Sequence, residues 1–171
     1  HSFPTRRSSD LKTLHAEALA NYQSGCRSPE TIVSPQSALS LASLGLTRAF
    51  LYDYVDDFSR YGAPDLEAFL GVAGLRAACF DGVTSDAELP ECDYPRKTDK
   101  FDGVAWLPRI IRKAQCFLDG TLCRDIMYGC SGDRAFLENY HANLPGFLQA
   151  VLQTQGDPAS VLRYLRDQVT P

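Results

Sequence analysis

Three groups of residues in this 171-residue chain carry side chains able to do chemistry. The first is Arg109 with Lys113. Pro108 suits the opening of a helix, so Arg109 falls near the second helical position, where a cation opposes the helix dipole at about 0.3–1 kcal/mol unless an anion offsets it. Free backbone N–H groups at that end bind phosphate or carboxylate, and Lys113, four residues on, shares the face. The expectation is a small-anion site lined by Arg109 and Lys113. The plainer reading is a solvated arginine, or one paired with Asp99 or Asp102. The second group is G-C-S-G-D-R, residues 129–134, a glycine-rich turn into a helix. A cysteine at such a turn is a setting for thiol chemistry, with Asp133 and His141 as supporting candidates beside Cys130. Its plainer reading is a glycine turn whose Asp133 caps the helix. The third is Asp53, Asp56 and Asp57, spaced so that two carboxylates can share a metal or a proton. Arg60, four residues after Asp56, offers a simpler partner, and a solvated acidic face is the plainer reading.

The elements that must position these residues are helical. Apolar residues recur at the helical period, and the expected fold class is all-α, with about seven helices and no strand ladder. Helices are expected over 12–23, 37–44, 48–61 with Thr47 as N-cap, and 65–80 with acidic residues in the first turn. In the second half they are expected over 108–118, 133–140, 143–152 and from 158 onwards. In the 108–118 helix Ile110, Ile111, Ala114, Phe117 and Leu118 form the apolar stripe, and Arg109, Arg112 and Lys113 are expected to project away from it. Residues 103–107 read as extended, because the residue before a proline avoids the helical region. Residues 121–129 read as short and irregular or extended. Residues 81–98 lose the period and carry Pro90 and Pro95, so they read as a linker between a helical unit at 12–80 and another at 99–171.

Composition narrows the class further. The chain is 44% hydrophobic and 22% charged, ordinary globular usage. Seventeen Lys and Arg against 21 Asp and Glu give a net charge of −4, which offers no basic field for nucleic acid or an anionic membrane. No apolar run reaches the roughly 18–20 residues a membrane span requires. Six cysteines without a C-x-x-C pair suggest reduced thiols in a cytoplasmic protein. The first eleven residues, H-S-F-P-T-R-R-S-S-D-L, reverse-translate into a string that resembles a sequencing-library adapter. They are expected to be an assembly scar, with residues 1–10, Phe3 included, making no packed contacts.

The run G-V-A-W-L-P-R-I-I-R-K-A-Q-C-F-L-D-G-T-L at 103–122, followed by M-Y-G-C-S-G-D-R-A-F-L at 127–137, resembles a family known as domain of unknown function 5069. Leu107, Pro108, Arg109, Lys113 and Gly120 match its G-x-x-x-L-P-R-x-x-x-K core and closing glycine, while Asp133 and Phe136 fit its later turn. Arg112 stands where an acid is commoner. The resemblance covers roughly 99–168. More weakly, 41–58 and 61–65 resemble the helical segment ahead of this domain in some longer relatives. The family has no assigned activity, so the resemblance implies a fold and a boundary, not a reaction. The resulting expectation is a non-enzymatic binding or interaction module, with no cofactor and no metal, for an unidentified protein partner or a small anionic ligand. The alternative is a small thiol-dependent enzyme using Cys130.

Overall fold

The computed structural model describes residues 5–170, with side chains from residue 7. Among the described residues there are eight α-helices and one two-stranded hairpin, so the chain is mainly helical. It divides into two compact units, His1–Thr84 and Ser85–Pro171.

The first unit is built from α1 (Thr5–Gln23), α2 (Pro35–Ser43), α3 (Arg48–Tyr61) and α4 (Leu66–Cys79). Each start from α2 onwards has a chemical reason. Ser34, Thr47 and Asp65 sit at the N-caps, and their side-chain oxygens accept the backbone N–H groups of Ser37, Phe50 and Ala68. Gly62 ends α3 in the left-handed region. Helix α1 packs on α3 and α4, burying Leu14, Ala18 and Tyr22 against a core that includes Leu51, Tyr54, Phe69 and Val72. Glu17 of α1 accepts from the Ser34 N–H and the Ser37 hydroxyl, which ties α1 to the start of α2. Helix α4 is buried nearly all round, Arg76 included. The Arg76 guanidinium donates to the Gly45 carbonyl at 2.9 Å. A side chain at Gly45 would collide with the Phe80 ring, and its φ is +73°, so glycine is required there.

Helix α1 begins at Thr5, seven residues before the expected start. Arg7, Ser9 and Asp10 are exposed and Ser8 is half-buried. Leu11, assigned to the scar, is only 2% exposed and belongs to the core. Phe3 lies outside the described residues.

The second unit contains β1 (Lys100–Phe101), β2 (Val104–Ala105), α5 (Leu107–Asp119), α6 (Ser131–Glu138), α7 (Leu144–Thr154) and α8 (Pro158–Val169). Helices α5, α7 and α8 pack on one another, and α6 packs on α7. Asp102 and Gly103, both at positive φ, make the tight turn between the antiparallel strands. An Asp-Gly pair favours that turn. The stretch read as a linker is partly folded onto this unit. The Leu89 N–H donates to the Thr121 carbonyl, and the buried Tyr94 packs with Cys116, Cys123 and Ile126. Apolar Leu89 and Tyr94, rather than the prolines, decide where this segment goes, and the division between the units falls at 84/85, inside the expected 81–98 linker. Residues 121–129 form turns without a strand.

Asp53 provides a test of the first unit. It is half-buried on α3 rather than solvated, and burial, reinforced by Asp57 and Asp56, pushes its carboxyl up from 3.8 to about 7. An acid whose folded pKa exceeds its unfolded value holds its proton more tightly when folded, so ionisation removes stability as pH rises from about 4 to about 7. Asp53→Asn is therefore expected to stabilise the full chain by ~2–4 kcal/mol near pH 8, with the gain fading towards pH 4. Urea unfolding followed by helical circular dichroism measures this. An equal gain at both pH values would show that charge is not the cause.

Candidate functional site

The chemistry-bearing residues of the second unit converge on one buried carboxylate. In α5 the positions Ile110, Lys113, Ala114 and Phe117 recur at the spacing of a single helical face, and all four are buried. Lys113 therefore belongs to the apolar stripe and does not project from it. Its chain crosses the core and its ammonium meets Asp133 of α6 at 2.6 Å, the two side chains being 3% and 0% exposed. Asp133 has two further donors. The Trp106 indole Nε1–H reaches Oδ1 at 2.9 Å, and the Gly129 N–H reaches Oδ2, the oxygen that also takes Lys113, at 2.9 Å. Cys130 Sγ accepts from Lys113 Nζ at 3.4 Å. The Arg134 side chain donates to the Gly129 carbonyl at 2.7 Å, closing the turn.

Local geometry explains why these residues meet. Trp106, at the N-cap of α5, has φ +73°, a conformation costing about 1–3 kcal/mol for a bulky residue unless its surroundings enforce it. Its indole bond to Asp133 and its packing against Gly132 do so. A Cβ on Gly132 would lie 2.5 Å from the ring, so glycine allows α6 to approach the indole. Lys97 places its ammonium 5.8 Å from the ring centroid, within cation–π range. Asp133 is therefore not the cap of α6. Cys130 occupies the N-cap, and the Asp133 carboxylate, three positions later, reaches back to the Gly129 N–H.

The structure separates Arg109 from Lys113. Arg109 donates to the Pro95 carbonyl at 2.9 Å, and its guanidinium lies 6.0 Å from the Tyr94 ring centroid. It pairs with neither Asp99, which holds Arg96, nor Asp102, which holds Arg166. A two-cation anion site at the start of α5 does not form, because Lys113 is buried on Asp133. Cys130 and Asp133 are neighbours, whereas the exposed His141 lies beyond the C-terminal end of α6 at φ +54°. In the first unit the Asp56 carboxylate accepts from Arg60, its expected partner, at 3.0 Å and also from the Tyr22 hydroxyl at 2.6 Å. Among the described residues no group of three or more His, Cys, Asp or Glu is placed to hold a metal ion.

A second feature of this unit has no counterpart in the sequence pattern. The hairpin and α8 frame a groove of about 610 Å³ lined by Phe101, Asp102, Ala159, Leu162, Arg163, Arg166 and Asp167. Asp102 and Arg166 meet across it at 3.2 Å with both side chains more than half exposed. Exposed pairs of this kind contribute about 0–1 kcal/mol, so an incoming group displaces them readily.

Two substitutions test the buried cluster, and Trp106, the chain's single tryptophan, reports on it by fluorescence. Lys113→Met strands a buried carboxylate and is expected to cost about 3–5 kcal/mol in denaturant unfolding, whereas the double change with Asp133→Leu recovers most of that loss. Additive losses in the double variant would contradict direct pairing. Gly132→Ala is expected to cost about 1–3 kcal/mol by overpacking the indole.

No family model, no curated protein and no solved structure matches the chain.

Proposed function

We propose that the chain is a non-enzymatic, cytoplasmic binding module whose second unit takes a small anionic ligand in the groove between the hairpin and α8. The groove itself carries this reading. Arg163 and Arg166, three residues apart on α8, line it together with the apolar side chains of Phe101 and Leu162. Guanidinium groups bind carboxylate and phosphate through paired N–H donors, and the apolar lining favours an anion with a hydrophobic body. Asp102 holds Arg166 at 3.2 Å until a ligand carboxylate replaces it. The buried cluster supports the same reading by exclusion. All three donors to Asp133 are fixed and the carboxylate has no exposure, so it offers no acid or base to a substrate. Arg109 acts in this account as a strut from α5 to Pro95. Among the described residues no helix is long and apolar enough to cross a membrane, which agrees with a module that works away from the bilayer.

Benzoate and inorganic phosphate, with chloride as the ionic-strength control, serve as probes. Either probe is expected to raise the melting temperature of the full chain by several degrees at concentrations well above its dissociation constant, since a ligand that binds only the folded form stabilises it. Arg166→Ala and Arg163→Ala should each remove that rise, and Arg109→Ala should leave it intact. No rise beyond the chloride control overturns the reading. Rapid alkylation of Cys130 in the native protein, at a rate matching a free thiol or faster, would instead favour the thiol enzyme.

A further inference from the structure

We propose that His15 is an acid-operated latch: its neutral ring holds α1 on α3 and α4, and a proton on the ring loosens that contact. The residue is 5% exposed on the face of α1 that also buries Leu11, Leu14 and Ala18. Its ring lies 4.9 Å from that of Phe69 on α4 and 6.3 Å from that of Phe58 on α3, the second contact edge-on. Nε2 is buried and has no hydrogen-bond partner among the described residues. A neutral imidazole is tolerated between two phenyl rings as a largely apolar plate. The imidazolium gains a full charge and a second donor where nothing accepts either, and burying an unpaired charge is among the costliest events in a core.

The charged groups on the surrounding helices do not supply a partner. On α3, Asp56 already accepts from Tyr22 and Arg60, Arg48 donates to the Glu30 carbonyl, and neither Asp53 nor Asp57 acts on the His15 ring. On α4, Glu67 is exposed and Arg76 donates to the Gly45 carbonyl. On α1 itself Glu17 accepts from the start of α2, and Asp10 and Lys12 are exposed. None of them enters the titration of His15, which burial alone moves below the ordinary 6.5. A histidine depressed in this way contributes stability that is present above 6.5 and is lost as pH falls, because the unfolded chain takes up the proton first. Asp53 titrates in the opposite sense over an overlapping range, and hiding one effect behind the other is avoided by removing its carboxyl.

The full chain carrying Asp53→Asn is compared with the same chain carrying His15→Phe in addition. Amide hydrogen exchange is followed at pH 7.5 and pH 5.0, with intrinsic rates corrected. In the His15 protein, protection of α1 is expected to fall about ten- to thirtyfold at the lower pH, the upper figure being the linkage limit for an unfolded pKa of 6.5. In the His15→Phe protein it should change less than about twofold. Equal changes in the two proteins, or none in either, overturn the proposal. A second measurement needs no variant at this position: a nuclear magnetic resonance titration of the imidazole signals. A His15 signal that titrates at or above 6.5 while the α1 amides stay unchanged also overturns it.

Discussion

The second unit depends on a single constraint, the need of the buried Asp133 carboxylate for donors. With no exposure of its own it cannot be solvated, and an unpaired carboxylate in such a place costs several kcal/mol. Three chain segments answer that need. Lys113 brings a charge from the middle of α5, Trp106 brings an indole N–H from the turn before α5, and Gly129 brings a backbone N–H from the turn before α6. Because each donor comes from a different segment, the carboxylate fixes the hairpin, α5 and α6 relative to one another. The strained backbone of Trp106 and the glycine at 132 follow from the same requirement. One is the conformation that aims the indole at Asp133, and the other makes room for it.

A charge so fully engaged is poor catalytic material, and this separates structure from function in the unit. Lys113 and Asp133 neutralise each other inside the core, while Arg109 ties α5 to Pro95 beside Tyr94. Arg163 and Arg166 of α8 stand apart from the hub at the groove, Arg166 held by the exposed Asp102. The anion binding proposed for the groove would draw on these two arginines and leave the hub undisturbed. The first unit shows the converse case, with titratable groups buried without full pairing. Burial lowers His15 and raises Asp53, so the two make this unit sensitive to pH in opposite senses.

Much of the helical frame was legible because it is written locally. Thr47, Asp65, Asn143 and Asp157 cap helices as their types suggest, and Gly62 and Gly120 end them in the left-handed region. The site was not legible in the same way. Lysine is rarely buried, which favours an outward Lys113, although its offset of three from Ile110 and four from Phe117 places it on the apolar face. Its partner lies twenty residues away, and no local pattern links the two. The glycine turn before α6 suggests Asp133 as its cap, while the capping position belongs to Cys130. The hairpin carried an available signal in Asp102-Gly103 that the helical periodicity around it obscured. The groove has no local signature, since it arises only when the hairpin packs beside α8, whereas His15 stands at helical spacing with Leu11, Leu14 and Ala18, a signal that its polar type obscures.

The most direct test of the hub is hydrogen exchange at the Trp106 indole N–H in the intact chain. Bonded to a carboxylate that solvent does not reach, this proton is expected to exchange only when the second unit unfolds globally. Its protection should therefore match that of the slowest backbone amides of α5 and fall with them as denaturant is added. Rapid exchange of the indole proton while the α5 amides remain protected would mean that Asp133 does not hold Trp106, and the account of the second unit would fail.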